Sequence, residues 1–211
     1  MSLDRQHSFW GYLSPLGGLT GAGLLIMASA RLSWAITVAG SLFWVYGFTS
    51  FSFALLSSLI GDKFFPVNGR TAVYTCLASF WGILYMFLFW ILSPFAALEV
   101  FMLLLLVPLF CASSSITQDS SEISDNVTNA FSQAAIIACL IILFSIIREP
   151  LSYCSLSVPG TYHGMITIMY FNENSFFPIG IFASSAGALL LLGFIICLYQ
   201  YTKNFIVSGD R

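Results

Sequence analysis

Charged side chains are scarce in this sequence, and that scarcity decides the class of protein. Of the 211 residues, 8% are charged and 58% are hydrophobic, and the mean hydropathy is +0.91. Soluble chains are typically about a quarter charged, so most of this surface must face a solvent other than water. We therefore predict an all-α integral membrane protein whose residues 1–211 form a single domain in a lipid bilayer.

Basic clusters, a leader and catalytic motifs are also missing. The net charge is −2 and no run of Lys or Arg occurs, which argues against nucleic acid as a partner because nucleic-acid binding requires clustered positive charge. No charged segment followed by a small-residue cleavage site marks a removable signal peptide. The sequence has no Gly-rich phosphate loop or nucleophile elbow, so no catalytic residue is assigned and an independent hydrolase or NTPase is not expected.

The five cysteines lack the spacing of a metal site. There is no C-x-x-C motif and no Cys/His pattern suited to zinc, and an odd number excludes a complete internal disulfide framework. Free cysteine is usually a small buried hydrophobic residue. Cys111 is the one cysteine whose position in the sequence makes it a candidate cofactor or metal ligand.

Apolar runs long enough to cross about 30 Å of hydrocarbon recur between polar breaks. We predict six transmembrane helices. Two longer loops separate the later helices, and the second of them, residues 148–176, has room for a short surface element. The predicted helices span residues 10–30, 33–60, 71–92, 95–111, 130–147 and 177–201.

The distribution of basic residues predicts the orientation. An even number of helices places both termini on one side of the membrane, and basic flanks resist translocation. Five basic residues fall on the side of the termini and two on the other side, which favours cytoplasmic termini. The first group is Arg5, Lys63, Arg70, Lys203 and Arg211, and the second is Arg31 and Arg148.

Helices 1 and 4 contain the residues most able to interrupt a helix. Helix 1 carries Pro15 and several glycines, and Pro108 is expected to break helix 4. If the chain consists of two inverted three-helix repeats, these helices correspond, and paired interruptions indicate a site near the bilayer midplane. The alternative, which the sequence alone favours, is structural, since glycine and proline are tolerated in membrane helices.

Glu99, Arg148 and Glu149 are the candidate ionisable residues, because a charge within an apolar stretch is costly. Glu99 lies shortly after the start of helix 4, where a carboxylate can reach the interface or serve as a proton or cation site. Arg148 and Glu149 close helix 5. Adjacent residues on a helix point about 100° apart, so these two need not pair, and interfacial anchoring is the alternative to a function.

Four segments, in the same order, resemble the D/E-type membrane subunit of the Rnf and Nqr redox-driven ion pumps. That family has a first half-helix with Leu-Gly-Leu-Cys-Pro, a second ending in Asn-Cys, a helix closing on Ile-Arg-Glu and a last helix opening with Pro-Pro-Gly. The corresponding segments here are residues 19–23 (Leu-Thr-Gly-Ala-Gly), 110–111 (Phe-Cys), 147–149 (Ile-Arg-Glu) and 177–180 (Phe-Pro-Ile-Gly).

This resemblance implies a multi-pass subunit of an electron-transport complex in the bacterial inner membrane, coupled to Na⁺ or H⁺ translocation. Its partners would be a homologous membrane subunit and other electron-transport subunits. In the family, paired subunits hold a [2Fe-2S] cluster and each supplies two of its four thiolates. Here Ala22 stands at the first cysteine position and Phe110 replaces the asparagine. A cluster would therefore be shared with a partner through Cys111, and we expect none bound by this chain alone.

The candidate site is the place where helices 1 and 4 meet. Two alternatives use the same scaffold, namely a small-molecule or ion transporter lined by the serines after helix 4, and a structural assembly subunit. The expected residues of the site are Gly21, Ala22, Gly23, Phe110 and Ser113, with Cys111 as the one candidate cofactor or metal ligand.

Overall fold

The computed structural model describes residues 15–60, 67–114, 123–160, 165–171 and 179–209. These residues form a helical bundle with one antiparallel pair of strands, which agrees with the predicted all-α class. The helices are α1 (Pro15–Ala28), α2 (Leu32–Ile60), α3 (Val67–Leu92), α4 (Pro94–Ser114), α5 (Ile123–Tyr153) and α6 (Ser185–Gly209); the strands are β1 (Ser155–Pro159) and β2 (Met165–Tyr170), and a 3-10 helix (Gly180–Ala183) precedes α6.

The lengths and surfaces of the helices are those of a multi-pass membrane protein. Five helices, α2 to α6, are long and apolar enough to cross a bilayer, and α1 is a shorter apolar helix. The 14 residues of α1 extend about 21 Å at the usual rise per residue, less than the hydrocarbon thickness. Large apolar side chains such as Phe80, Ile83 and Phe87 of α3 are exposed, so lipid solvates the outer surface.

Several helix boundaries differ from the predicted ones. Helix α5 begins at Ile123 and continues through Pro150 to Tyr153, because a helix can extend past the apolar run that crosses the hydrocarbon. Helix α6 begins later than predicted. Ser184 has an extended backbone and its Oγ accepts a hydrogen bond from the backbone N–H of Gly187 at 3.1 Å, which is the geometry of a helix N-cap.

The predicted break in helix 4 is wrong, because α4 runs unbroken through Pro108. The proline ring fits against Gly82 of α3, where any Cβ would collide with it. A residue without a side chain therefore lets α3 approach the proline closely. Helix α1 is likewise continuous from Pro15, and residues 10–14 of predicted helix 1 lie outside the described residues.

The core lies between α2, α4 and α5. Helix α2 packs along α5 and also contacts α3 and α4, while α1 lies against α4. The buried faces of α2 and α5 carry small residues, including Ala35, Ala39, Ala134 and Ala138, which allow two helices to approach closely. The pairs α1–α4 and α2–α5 are those that two inverted repeats would relate, and the repeat itself stays a prediction.

The β1–β2 hairpin covers one end of the bundle, here called the capped end. It lies in the second long loop, for which the sequence predicts room for a short surface element. Ser93, between α3 and α4, donates to the carbonyl of Gly160 at 2.6 Å, and Ser157 of β1 lies 3.3 Å from Ser33 of α2. Cys154 joins α5 to β1 with φ of 50°, a left-handed conformation that usually ends a helix on glycine. The hairpin therefore ties the helix connections together.

The contact between Gly82 and Pro108 gives a test of the packing. Gly82→Ala should lower the free energy of unfolding by about 1–3 kcal/mol, because the new methyl group meets a rigid ring in a packed interior. Gly193→Ala is the matched control, since a Cβ there has no neighbour within 4 Å. Thermal unfolding in detergent, followed by circular dichroism, compares the two. Equal melting temperatures for both variants would contradict the contact.

Candidate functional site

Arg148 is buried inside the bundle, with 1% of its surface exposed, although it lies in an apolar span. A guanidinium has five N–H donors. All five find acceptors, namely four backbone carbonyls and one hydroxyl. The acceptors are Phe182 O for Nε at 2.8 Å, Ile26 O and Ser29 Oγ (3.0 Å) for Nη1, and Ala183 O and Ser184 O, each at 3.1 Å, for Nη2.

These acceptors lie at the ends of two helices. Ile26 is in the last turn of α1, and the carbonyls of Phe182 and Ala183 end the 3-10 helix. The last carbonyls of a helix lack partners within it, and they form the negative end of its dipole. Arg148 supplies both the missing hydrogen bonds and a positive charge, so the buried cation is stabilised without a carboxylate.

Glu149 caps a helix end of the opposite polarity. Its Oε2 accepts a hydrogen bond from the backbone N–H of Leu32, the first residue of α2, at 2.7 Å. Its Oε1 accepts one from Ser157 Oγ at 2.6 Å. A helix N-terminus is positive and has free N–H groups, and Arg31, which precedes α2, has no side-chain oxygen to satisfy them. The carboxylate of Glu149 on α5 therefore accepts the hydrogen bond that the side chain of a local N-cap residue usually accepts.

Arg148, Glu149, Ser29 and Ser157 together are called the polar clasp below. The clasp joins α1, α2, α5, the hairpin and the segment before α6. No ion pair links Arg148 to Glu149 in the described part of the chain, as the 100° divergence of neighbouring residues allows. Interfacial anchoring, the alternative for these two residues, is wrong, because both side chains are almost fully buried.

The structure brings α1 to α4 at Gly21. A Cβ added to Gly21 would lie 2.7 Å from Cε2 of Phe110, so the aromatic ring packs directly on the glycine backbone. Ala22 is half-buried, and a Cβ on Gly23 would meet nothing within 4 Å. Of the three small residues in the predicted site, Gly21 is thus the one that the helix contact requires.

Cys111 follows Phe110 and points into the bundle. Its thiol is fully buried, 4.0 Å from the hydroxyl of Tyr74 on α3, which in turn lies 3.1 Å from Ser50 Oγ on α2. Ser113 is also buried, and its hydroxyl donates to the backbone carbonyl of Phe110 at 2.7 Å. The side chains expected to line a site are therefore engaged within the chain's own helices.

These residues do not fit an iron–sulfur cluster held by this chain. Such a cluster needs four thiolates, and the resemblance places the first cysteine of the family pattern at Ala22, whose methyl group cannot bind iron. The thiol of Cys111 is enclosed by hydroxyl-bearing side chains of α2 and α3 and has no exposed surface. No electron-transfer step is therefore assigned to Cys111.

Glu99 is exposed on α4 near the capped end. The indole N–H of Trp34 donates to its Oε2 at 3.3 Å. Its role, as a carboxylate at the interface or as a proton or cation site, stays a prediction.

Sequence reasoning missed the partners of the two buried charges. Ser29 and Ser157 are unremarkable in sequence, and Ile26 and Phe182 contribute backbone atoms, which no side-chain pattern reveals. The available signal is indirect. A buried cation needs acceptors, and the ends of short helices such as α1 are where unpaired carbonyls occur.

Comparison of the chain with protein-family models, with curated proteins and with solved structures finds no match.

Variants of Arg148 test the clasp. Arg148→Ala should lower the free energy of unfolding by about 3–5 kcal/mol, because buried carbonyls lose their charged partner. Arg148→Lys keeps the charge but has three donors on one nitrogen, so its melting temperature should lie between those of Arg148→Ala and the wild type. Millimolar guanidinium should partly restore Arg148→Ala in thermal unfolding. A lysine variant as stable as the wild type would contradict the five-bond arrangement.

Variants of Glu149 separate charge from hydrogen bonding. Glu149→Gln keeps one side-chain acceptor and should cost about 1–2 kcal/mol, whereas Glu149→Ala leaves the Leu32 N–H and the Ser157 hydroxyl without their acceptor and should cost more. Ser132→Ala is the control, since Ser132 is exposed on α5 and donates to the backbone of Asn129. Chemical denaturation in detergent measures all three. Equal effects of Glu149→Ala and Ser132→Ala on the free energy of unfolding would show that Glu149 does not stabilise the start of α2.

Proposed function

We propose that this protein is a membrane subunit of an electron-transport complex coupled to ion translocation, of the D/E type of the Rnf and Nqr pumps, without a complete cluster site of its own. One observation carries this proposal: two of the segments on which the resemblance rests, residues 19–23 and 110–111, meet in the fold. Residues 19–23 meet residues 110–111 where Gly21 packs on Phe110. Arg148, within residues 147–149, donates hydrogen bonds to the carbonyls of Phe182 and Ala183, which follow shortly after residues 177–180.

Such pairing supports a shared scaffold, because these segments are far apart in sequence and nothing local forces them together. Arg148 lies 122 residues from Ile26 and 34 from Phe182. Arg148 on α5 thereby fixes both the end of the first helix and the entry of the last. In the proposed complex this chain supplies a membrane framework, and redox centres belong to partner subunits.

The distribution of basic residues supports cytoplasmic termini, and the resemblance is the support for a bacterial inner membrane. Among the described residues, Arg31 and Arg148 are the basic residues at the capped end. The guanidinium of Arg148 is hydrogen-bonded to carbonyls at helix ends. Two basic residues at the capped end against five predicted on the side of the termini is the kind of asymmetry that orients membrane proteins.

Purification in mild detergent tests the proposal. We expect the protein to co-purify with subunits that carry flavin or iron–sulfur centres, detected by iron content, visible absorption and EPR spectra. Cys111→Ser should leave the iron per complex unchanged, because the thiol faces Tyr74 inside its own bundle. Cys139→Ser, at an exposed position of α5, is the matched control.

Two results would count against it. A protein that purifies without any redox subunit would overturn the electron-transport assignment and point to transport or assembly. A loss of iron in Cys111→Ser, but not in Cys139→Ser, would mean that Cys111 holds a cluster after all.

A further inference from the structure

Arg31 lies in the turn between α1 and α2, held between aromatic rings. Its guanidinium carbon is 5.1 Å from the ring centroid of Tyr153 and 5.8 Å from that of Trp34. One Nη donates to the sulfur of Met165 at 3.2 Å. Cation–π contacts fix the position of the cation without using its N–H groups. Its other donors have no acceptor among the described residues, so they remain available to a ligand.

Glu99 contacts the N–H edge of the same indole. Its carboxylate is exposed and accepts one hydrogen bond, from Trp34 Nε1 at 3.3 Å. No basic side chain pairs with it in the described ranges. Arg31 and Glu99 therefore flank Trp34 as a positive and a negative group that do not neutralise each other.

This pair of charges faces the region where lipid head groups lie. Trp34 is in the first turn of α2 and Glu99 in the second turn of α4, and Trp and Tyr are typical of the membrane interface. Phe95 and Leu98, on the same stretch of α4, are exposed apolar side chains that lipid chains can cover. Among the described residues, the other charged groups near the capped end, Arg148 and Glu149, are buried in the clasp.

We propose that Arg31, Trp34 and Glu99 bind the head group of a zwitterionic phospholipid, with the phosphate on Arg31 and a primary ammonium on Glu99. A guanidinium pairs well with phosphate through two parallel hydrogen bonds. A primary ammonium donates N–H bonds to a carboxylate, which a quaternary ammonium cannot do. The geometry therefore favours phosphoethanolamine over phosphocholine and over anionic phosphoglycerol, which would face Glu99 with no positive group.

Native mass spectrometry tests this with three lipids of identical acyl chains that carry phosphoethanolamine, phosphocholine or phosphoglycerol. The wild type should retain the ethanolamine lipid about threefold better than the other two, the effect of one partly exposed charged contact. Glu99→Gln should abolish that preference. Arg31→Gln should weaken retention of all three lipids about threefold, since each has a phosphate.

Two control variants remove a charge at the opposite end of the bundle. Arg70→Gln, near the start of α3, and Asp125→Asn, near the start of α5, should leave the preference unchanged. Inorganic phosphate, added as a free anion, should not displace the lipid. An ethanolamine preference that survives Glu99→Gln, equal retention of all three lipids by the wild type, or displacement by inorganic phosphate would each overturn the proposal.

Discussion

Two oppositely polarised helix ends meet at the turn between α1 and α2, and the structure depends on satisfying both away from water. The end of α1 presents carbonyls and the start of α2 presents N–H groups, and each bears partial charge. Arg148 and Glu149, which are adjacent on α5, form hydrogen bonds to both helix ends. Because consecutive helical residues diverge by about 100°, neighbouring side chains reach different helix ends. One dipeptide thereby fixes the positions of α1, α2, the hairpin and the entry to α6.

This arrangement also explains why an apolar replacement of the pair is not equivalent. In many proteins a buried ion pair can be exchanged for hydrophobic residues at little cost, because the two charges mainly compensate each other. Here each charge serves backbone groups of a different helix end. Removing both side chains would leave the carbonyl of Phe182 and the N–H of Leu32 without these partners in a buried region. The carbonyl of Ile26 would lose the guanidinium and keep the Ser29 hydroxyl as its partner. The clasp therefore determines how the helices are arranged as well as how stable that arrangement is.

Composition and apolar runs were enough to predict the membrane class and the approximate spans, because lipid imposes length and hydropathy on each helix. They failed where a neighbouring helix decides the outcome. Pro108 does not break α4, since Gly82 on α3 makes room for its ring. The anchoring alternative for Arg148 failed because its acceptors are backbone atoms distant in sequence. The later start of α6 was readable in principle, as Ser184 has the local chemistry of an N-cap.

The junction of α1 and α4 links the fold to the proposed function. The resemblance places a cysteine and an asparagine where this chain has Ala22 and Phe110. The ring of Phe110 packs on Gly21 and lies 6.2 Å from the ring of Tyr46, so the space between the two helices is filled by aromatic packing. Under the proposed function these two differences act together, since one removes a ligand and the other fills the space beside it. In a complex of the proposed kind, electrons would have to pass through a partner subunit. The clasp would hold the helices of this chain in their arrangement.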